Sequence, residues 1–542
     1  MTEPEPASPA LKVSHGVGGA AVLMIVSILV SALVGIGREM VYARQFGATG
    51  PYSAFVAAFR IPDLVYFLIA GGALRTGFIP VFTSYRDSGR EDQAWRTFQS
   101  MYSIMLAFAG AIVGIGMLLS PWLATLIAGG AEFTPEQREL CGALMRIMFP
   151  AQLFFVLGGL FMGVLNALRH FLWPAMAPIL YNLVLIVAAL LVAPLFGPLR
   201  AQVTVQACAV VTGACVAHFA LQLWVVGRRG PVRPRWEPRD EGVRRMGAFL
   251  LPVVFGLAVP ELTKIIVTRF ATDVTASGPA ILNYADRLGT LAVRAFGGGM
   301  AIAVYPTLAS LFTAGRLDDF RRHVSFALRN ALFMSLPAVA LIVVLREPII
   351  RLLLLRGKFT EADALSLSAV LGWYAIGLVP FAMLGISARS FYALHDTRTP
   401  LIVGVGVIAM TFVTGLVLKN TPHGLEGCAL AWAIGPLVNF VVLLALLRQR
   451  LNGIGGRQML RTVAKAGAGT LVACVVAWLS LLALRFAWPS DEVVARLARA
   501  VGPGMLGLFA FGAAALCLRT EEAHSAIDFV VRRVRRPAAE QP

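Results

Sequence analysis

The chain has 542 residues, 58% of them hydrophobic and only 14% charged, with a mean hydropathy of +0.75. A soluble globular protein is about a quarter charged, so the composition excludes a cytosolic enzyme, a disordered chain and a secreted disulfide scaffold. The net charge of +18 would point to nucleic acid in a soluble protein, but in a membrane protein Lys and Arg collect in cytoplasmic loops, and no nucleic-acid partner is expected.

An apolar run of about 20 residues crosses a bilayer as a helix. The Pro-rich segment 1–14 lacks the basic start of a secretory signal, so the first apolar run is expected to be retained. Runs follow at 16–37, 52–82, 101–128, 141–168, 174–197, 203–226, 246–271, 279–312, 324–350, 365–394, 400–418, 425–447, 463–485 and 500–518. They predict an all-α polytopic membrane protein of about fourteen transmembrane helices. With the N-terminus inside, cytoplasmic segments hold about 25 Lys and Arg and outer segments about 12. The strongest basic loop, 228–245, carries Arg228, Arg229, Arg233, Arg235, Arg239, Arg244 and Arg245. It falls inside, as does the tail Arg532-Arg533-Val534-Arg535-Arg536. Both termini are therefore expected to be cytoplasmic. The basic runs suit anionic lipid or a partner protein, and topology alone explains them too. Cys141, Cys208, Cys215, Cys428, Cys474 and Cys517 lie in apolar stretches without C-x-x-C spacing, and read as small membrane hydrophobes.

Two segments repeat. Pro80, Ser84, Gly89, Arg90, Asp92 and Arg96 recur as Pro306, Ser310, Gly315, Arg316, Asp318 and Arg322. Ala167-Leu168 before Pro174 recurs as Ala393-Leu394 before Pro400. All share one offset of about 226 residues. A repeat of about six helices keeps both copies in one orientation, a layout of transporters. The expected plan is an N-terminal six-helix lobe at 15–227, the basic linker 228–245, a parallel six-helix lobe at 246–450, a final helix pair at 451–519 and a basic tail at 520–542. Substrate would bind between the lobes, whose rocking gives alternating access.

Ionisable groups within apolar spans are costly and usually face a cavity. The candidates are mostly cations. Arg38 follows Gly35 and Gly37, which would loosen the end of helix 1, and Glu39 stands beside it. Arg60 and Arg75 lie in helix 2. Glu261 and Lys264, three apart in helix 7, share a face and would neutralise each other. Asp286, Arg287 and Arg294 lie in helix 8, with Arg287 and Arg294 two turns apart on one face, and Arg389 lies late in helix 10. Each arginine could instead snorkel to a headgroup or pair with a carboxylate. Together, several arginines in a cleft suit a phosphate or pyrophosphate, which guanidinium binds through paired hydrogen bonds. There is no G-x-x-x-x-G-K-[ST] loop, so the chain is not itself an ATP-driven pump. The seven histidines lack metal spacing, and no nucleophile elbow or hydrolytic carboxylate pair is found. The chain is expected to be a transporter and not an enzyme, without a resident cofactor, driven by Na+, H+, the membrane potential or the substrate gradient.

At these residues the chain resembles the MurJ (MviN) family of lipid II flippases, in the multidrug/oligosaccharidyl-lipid/polysaccharide exporter superfamily. The likeness is carried by Gly35-Ile-Gly-Arg-Glu39, Ala43-Arg-Gln-Phe-Gly47, Ala54 to Pro62, Phe78-Ile-Pro-Val-Phe82, Gly163-Val-Leu-Asn166, Pro174 to Pro178 with Asn182, Tyr284-Ala-Asp-Arg-Leu288, Arg356-Gly-Lys-Phe-Thr360 and, most specifically, Phe391-Tyr-Ala-Leu-His-Asp-Thr-Arg-Thr-Pro400. The resemblance implies a flippase that moves undecaprenyl-pyrophosphate-linked disaccharide peptide across the bacterial cytoplasmic membrane for peptidoglycan synthesis. It implies that Arg38 and Arg287 clamp the pyrophosphate and that Glu39 holds Arg38. The last two helices would form a groove for the polyprenyl tail. The sequence departs from the family at Ala32, Ser53, Tyr66, Gly71 and Thr290, where charged residues are expected. Those departures leave room for another polyprenyl-pyrophosphate-linked glycan as substrate. A drug or solute antiporter and a non-transporting scaffold of wall-synthesis proteins are the remaining alternatives.

Overall fold

The computed structural model describes residues 16–69, 78–293, 299–490 and 492–523. Among these the chain is helical, with no strand. The helices are α1 (Gly16–Phe46), α2 (Gly50–Ile69), α3 (Ile79–Asp87), α4 (Glu91–Ala128), α5 (Pro135–Ala167), α6 (Leu172–Leu195), α7 (Leu199–Gly227), α8 (Glu241–Val274), α9 (Gly278–Val293), α10 (Gly299–Thr313), α11 (Leu317–Val344), α12 (Arg346–Leu353), α13 (Glu361–Ala393), α14 (Arg398–Leu418), α15 (Gly424–Arg450), α16 (Gly456–Ala487) and α17 (Val493–Cys517). Twelve of them are long and apolar enough to span a membrane. The 34-residue α8, and the helices α9 and α10, overlap the two remaining runs of the fourteen-span pattern. The protein is thus a multi-pass membrane protein.

The repeat extends through the described helices. α4 and α11 begin at Glu91 and Leu317, and α5 and α13 begin at Pro135 and Glu361 and end at Ala167 and Ala393. Local chemistry repeats as well. Thr134 and Thr360 each close a capping box, with Gln137 and Asp363 three residues on. Each box satisfies amide groups that a helix start leaves unpaired. Gly89 and Gly315 both turn with positive φ, and so do Arg169 and His395. Non-glycine residues rarely adopt that conformation, so the shared pair marks one loop geometry built twice.

One large core joins residues of α1, α2, α5 and α7 to residues of α8, α9, α13 and α15. A second belongs to the first repeat, around Phe82, Trp95, Phe98 and Phe161. A third belongs to the second, around Phe320, Leu328, Phe391 and Leu447. α16 packs on α11 and against α17. There Ala466, Gly469, Ala473 and Ala477 line one face of α16 near Phe333 and Phe511, small residues that let helices approach where lipid supplies no hydrophobic drive. The apolar side chains left exposed, such as Leu118, Ile402, Leu471 and Phe509, are those a bilayer would cover.

Several boundaries differ from the sequence reading. α4 starts ten residues before the apolar run because its first turns carry Glu91, Asp92 and Arg96 at the aqueous end. Hydropathy registers a helix only where it enters apolar surroundings. Helix 1 does not loosen at Gly35 and Gly37. It runs unbroken to Phe46, and nothing packs near enough to either glycine to require one. The run 324–350 divides into α11 and the short α12 at Leu345.

The basic linker is fixed to the first repeat. The Arg235 amide donates to Ser103 Oγ at 2.7 Å, Gln99 donates to the Pro231 carbonyl at 3.0 Å, and Thr97 donates to Asp240 at 2.9 Å. Gly230 lies so close to Trp95 that a Cβ would collide with the indole. Arg228 lies 3.9 Å over the Trp224 ring, a cation–π contact.

Candidate functional site

The central feature is a charged cluster at the seam between the repeats. On α1, Arg38 donates to Glu39 Oε1 at 2.5 Å and to Asn182 Oδ1 of α6 at 2.8 Å. Asn182 is itself fixed, because its amide donates to the Pro178 carbonyl at 2.9 Å. Arg287 of α9 brings its Nε to 3.9 Å from the same Glu39 oxygen. Glu39 is therefore shared by guanidinium groups from both repeats.

A second layer lies on α8 and α9. Lys264 Nζ is 3.4 Å from Glu261 and 3.7 Å from Asp286. Tyr374 of α13 donates to Asp286 at 2.6 Å and stacks on Trp432 with ring centres 3.7 Å apart. Arg60 and Asp63 of α2 complete the group. Asp63 lies within electrostatic reach of Arg60, Glu261, Lys264 and Arg287, and Arg60 also acts on Asp286.

The cluster corrects the expectation of a mostly cationic cleft. Among the described residues, Arg38, Arg60, Lys264 and Arg287 face Glu39, Asp63, Glu261 and Asp286. In a medium of low polarity an unpaired charge is far costlier than a paired one, which explains the matching. Pairing is incomplete at the level of hydrogen bonds. Arg38 Nε, Arg60 Nε, Arg287 Nε and Glu39 Oε2 are buried without a hydrogen-bond partner. These orphaned groups are the polar atoms an anionic ligand and its counter-charges would engage.

Of the residues singled out from sequence, Arg38, Glu39, Arg60, Glu261, Lys264, Asp286 and Arg287 come together. Arg75 and Arg294 lie outside the described residues. Arg389 stands apart, with Tyr305 and Tyr392 as its electrostatic neighbours. Asp63, Asn182 and Tyr374 join the site without having been chosen for it. Asp63 had a usable signal, a lone acid three residues after Arg60, the same spacing that drew attention to Glu261 and Lys264. Tyr374 had none, since only packing of α13 aims its hydroxyl at Asp286.

Three of the family departures have local contacts, and nothing in the structure explains Ala32. Ser53 is buried and accepts from the Ala280 amide at 3.3 Å, across the seam. Tyr66 packs on Phe155 at 5.5 Å. The Thr290 hydroxyl bonds back to the Asp286 carbonyl at 2.5 Å. Gly71 lies outside the described residues.

One end of the seam is shut. The Lys358 amide donates to the Arg44 carbonyl at 3.0 Å, and the Tyr284 hydroxyl to the Gly47 carbonyl at 3.2 Å. Arg269 donates to the Gly129 carbonyl at 3.2 Å and to Asp273 at 2.7 Å, while Asp273 also accepts from the Ala131 amide at 3.3 Å and from Lys419 at 2.5 Å. Gly47 and Gly357, both at positive φ, permit the backbones of the two repeats to touch. Among the described residues no group of His, Cys, Asp and Glu is placed to hold a metal ion.

Comparisons with known proteins agree with this architecture. The family described as "Lipid II flippase MurJ" matches residues 42–494. The protein named "Lipid II flippase MurJ" of Burkholderia cenocepacia is 30% identical over 428 residues, covering 78% of this chain and 82% of that protein. The "Probable lipid II flippase MurJ" of Vibrio cholerae is 28% identical over 500 residues, covering 89% and 93%. A solved structure titled "Lipid II flippase MurJ, inward closed conformation" superposes with a TM-score of 0.72 at 19% identity, covering 92% of this chain and 99% of its own. An inward-facing multidrug resistance MATE transporter of the MOP superfamily shares the fold at a TM-score of 0.67 and 16% identity, covering 80% of this chain and 98% of its own. With a family match spanning most of its length, and helices, seam and charged cluster arranged as described, the chain belongs to the MurJ family of lipid II flippases.

Proposed function

We propose that this chain moves lipid II from the inner to the outer leaflet of the bacterial cytoplasmic membrane, with both termini on the cytoplasmic side. The observation that carries the proposal is the meeting of Arg38 and Arg287, one from each repeat, on Glu39 within the membrane. Family membership supplies the substrate, and the guanidinium pair supplies chemistry suited to its pyrophosphate. In the closed arrangement Glu39 stands where phosphate oxygens would compete for the same guanidinium groups. Substrate entry would exchange the carboxylate for pyrophosphate, and Glu39 would recapture the arginines on release. Because the partners come from different repeats, that exchange couples occupancy to the relative position of the lobes.

Lys264 pairs with both Glu261 and Asp286, which weakens Glu261 as a ligand for a coupling ion. The drive is an ion gradient, the membrane potential or the substrate gradient itself. The ordered linker on α4 offers a basic surface for wall-synthesis proteins.

The test is complementation. Cells depleted of their own flippase would express this chain, and lipid II at the outer leaflet would be measured. Restored export that Arg38→Ala and Arg287→Ala both lose supports the reading. Good expression without export counts against lipid II and turns the test to other polyprenyl-linked glycans. Export unchanged in both variants overturns the clamp.

A further inference from the structure

Beside the charged cluster, the first repeat carries a wall of aromatic side chains. Phe155 of α5 is its hub. Its ring centre lies 5.5 Å from that of Tyr66 of α2, 5.4 Å from that of Tyr181 of α6 and 4.9 Å from that of His218 of α7. Tyr181 and His218 also meet, at 5.7 Å. All four residues are half-buried. The wall adjoins the arginine clamp. Tyr181 precedes Asn182, which accepts from Arg38, and lies within electrostatic reach of Arg38, Asp63 and Arg287. Along α2, Arg60, Asp63 and Tyr66 follow at steps of three and share one face. At a rise of about 1.5 Å per residue, Tyr66 stands about 4.5 Å beyond Asp63, away from the shut end. One strip of α2 thus passes from charged to aromatic.

The backbone is shaped around these rings. Residues 214–220 of α7 form a wide π turn that carries His218, a feature frequent at functional sites. Gly158 of α5 lies against the His218 backbone, where a Cβ would collide. The second repeat does not copy the arrangement. Its α14 and α15 are regular helices without a π turn, and at the repeat offset of about 226 residues Tyr181 corresponds to Val407. Packing of this fold therefore does not by itself require the wall.

A polar group narrows the ligand. One turn before Phe155, on the same face of α5, Gln152 is 1% exposed and both atoms of its amide lack a hydrogen-bond partner. A primary amide offers both donor and acceptor. An apolar tail would leave it unpaired. A sugar suits both features, since its C–H face stacks on flat rings and its hydroxyl or acetamido groups pair with an amide. We propose, on the basis of the pyrophosphate clamp above, that these rings form a sugar subsite. It holds the pyranose attached to the pyrophosphate that Arg38 and Arg287 bind, with Tyr66 and Phe155 as the stacking surface.

The experiment is native mass spectrometry of the full chain in detergent. Three probes would be titrated separately: undecaprenyl pyrophosphate, the same lipid carrying one N-acetylglucosamine, and lipid II. A sugar-bearing lipid should bind about tenfold more tightly than undecaprenyl pyrophosphate. Tyr66→Leu and Phe155→Leu should each remove most of that preference while undecaprenyl pyrophosphate still binds, which also shows that the variants fold. Tyr66→Phe, which keeps the ring, should retain the preference, and Arg287→Ala should weaken all three lipids. Tight binding of the N-acetylglucosamine lipid with none of lipid II supports the subsite and counts against lipid II as the substrate. Equal affinity of the wild type for all three lipids overturns the subsite and leaves lipid II export untouched. A preference that survives both leucine variants, or equal weakening of all three lipids by both, also overturns it.

Discussion

Glu39 of α1 and Arg287 of α9 approach to 3.9 Å across the seam between the two repeats, although they are far apart in sequence. The side chain of Glu39 is only 9% exposed, while that of Arg287 is 38% exposed. The carboxylate is therefore the more buried member of the pair and the arginine the more exposed one.

Glu39→Gln should leave Arg38 and Arg287 without their shared counter-charge. Breaking a buried pair by removing one partner costs about 3–5 kcal/mol. The expected outcome is a lower melting temperature in detergent together with loss of lipid II export. Asn182→Leu, which removes only the neutral partner of Arg38, should cost about 1–3 kcal/mol and reduce export less. Equal effects of the two substitutions on export would contradict the role given to Glu39.

Gly357→Ala tests the shut end of the seam. A Cβ there would collide with the Arg44 carbonyl, and φ is positive at this residue, which for alanine costs roughly 1–2 kcal/mol. A cysteine placed at the buried Ser53, behind the seal, should react faster with a water-soluble maleimide in the Gly357→Ala background. An unchanged labelling rate would mean that the glycine does not hold the end closed.

The duplicated capping boxes give a test of the repeat. Thr134→Ala and Thr360→Ala each remove the side chain that caps a helix start. Each should lower stability by about 1 kcal/mol, read as similar shifts in thermal unfolding. A silent substitution in either repeat would show that the box there is dispensable.

Asp396 supplies a pH-dependent prediction. It accepts from the amides of Arg398 and Thr399, each at 3.0 Å, from the Thr399 hydroxyl at 2.7 Å, and from Arg450. Burial pushes its carboxyl up, but the bonds from Thr399 and Arg450 outweigh burial and hold it below the usual carboxylate value. A depressed value in the folded state stabilises the protein above the unfolded value, near 3.9, and the benefit is lost as pH falls through the folded value. The gap in melting temperature between wild type and Asp396→Asn should be full at neutral pH and shrink below about pH 4. A gap that widens on acidification would reverse the assignment.

Hydropathy located the spans because a membrane helix must carry its own apolar surface, visible residue by residue as at Leu471 or Ile402. The repeat was visible because a turn such as that at Gly89 and Gly315 depends on a few adjacent residues. Arg38, Glu39 and Arg287 stood out because charge within an apolar run is costly wherever it is placed. The sequence by itself therefore determined the membrane class, the doubled plan and most of the charged residues. Only the tertiary structure decided their pairing: Glu39 between two arginines, Asp63 beside Arg60, and Tyr374 on Asp286. Helix burial is a property of neighbours along one chain segment, whereas an ion pair depends on which faces of distant helices meet, and that is fixed when the two repeats pack.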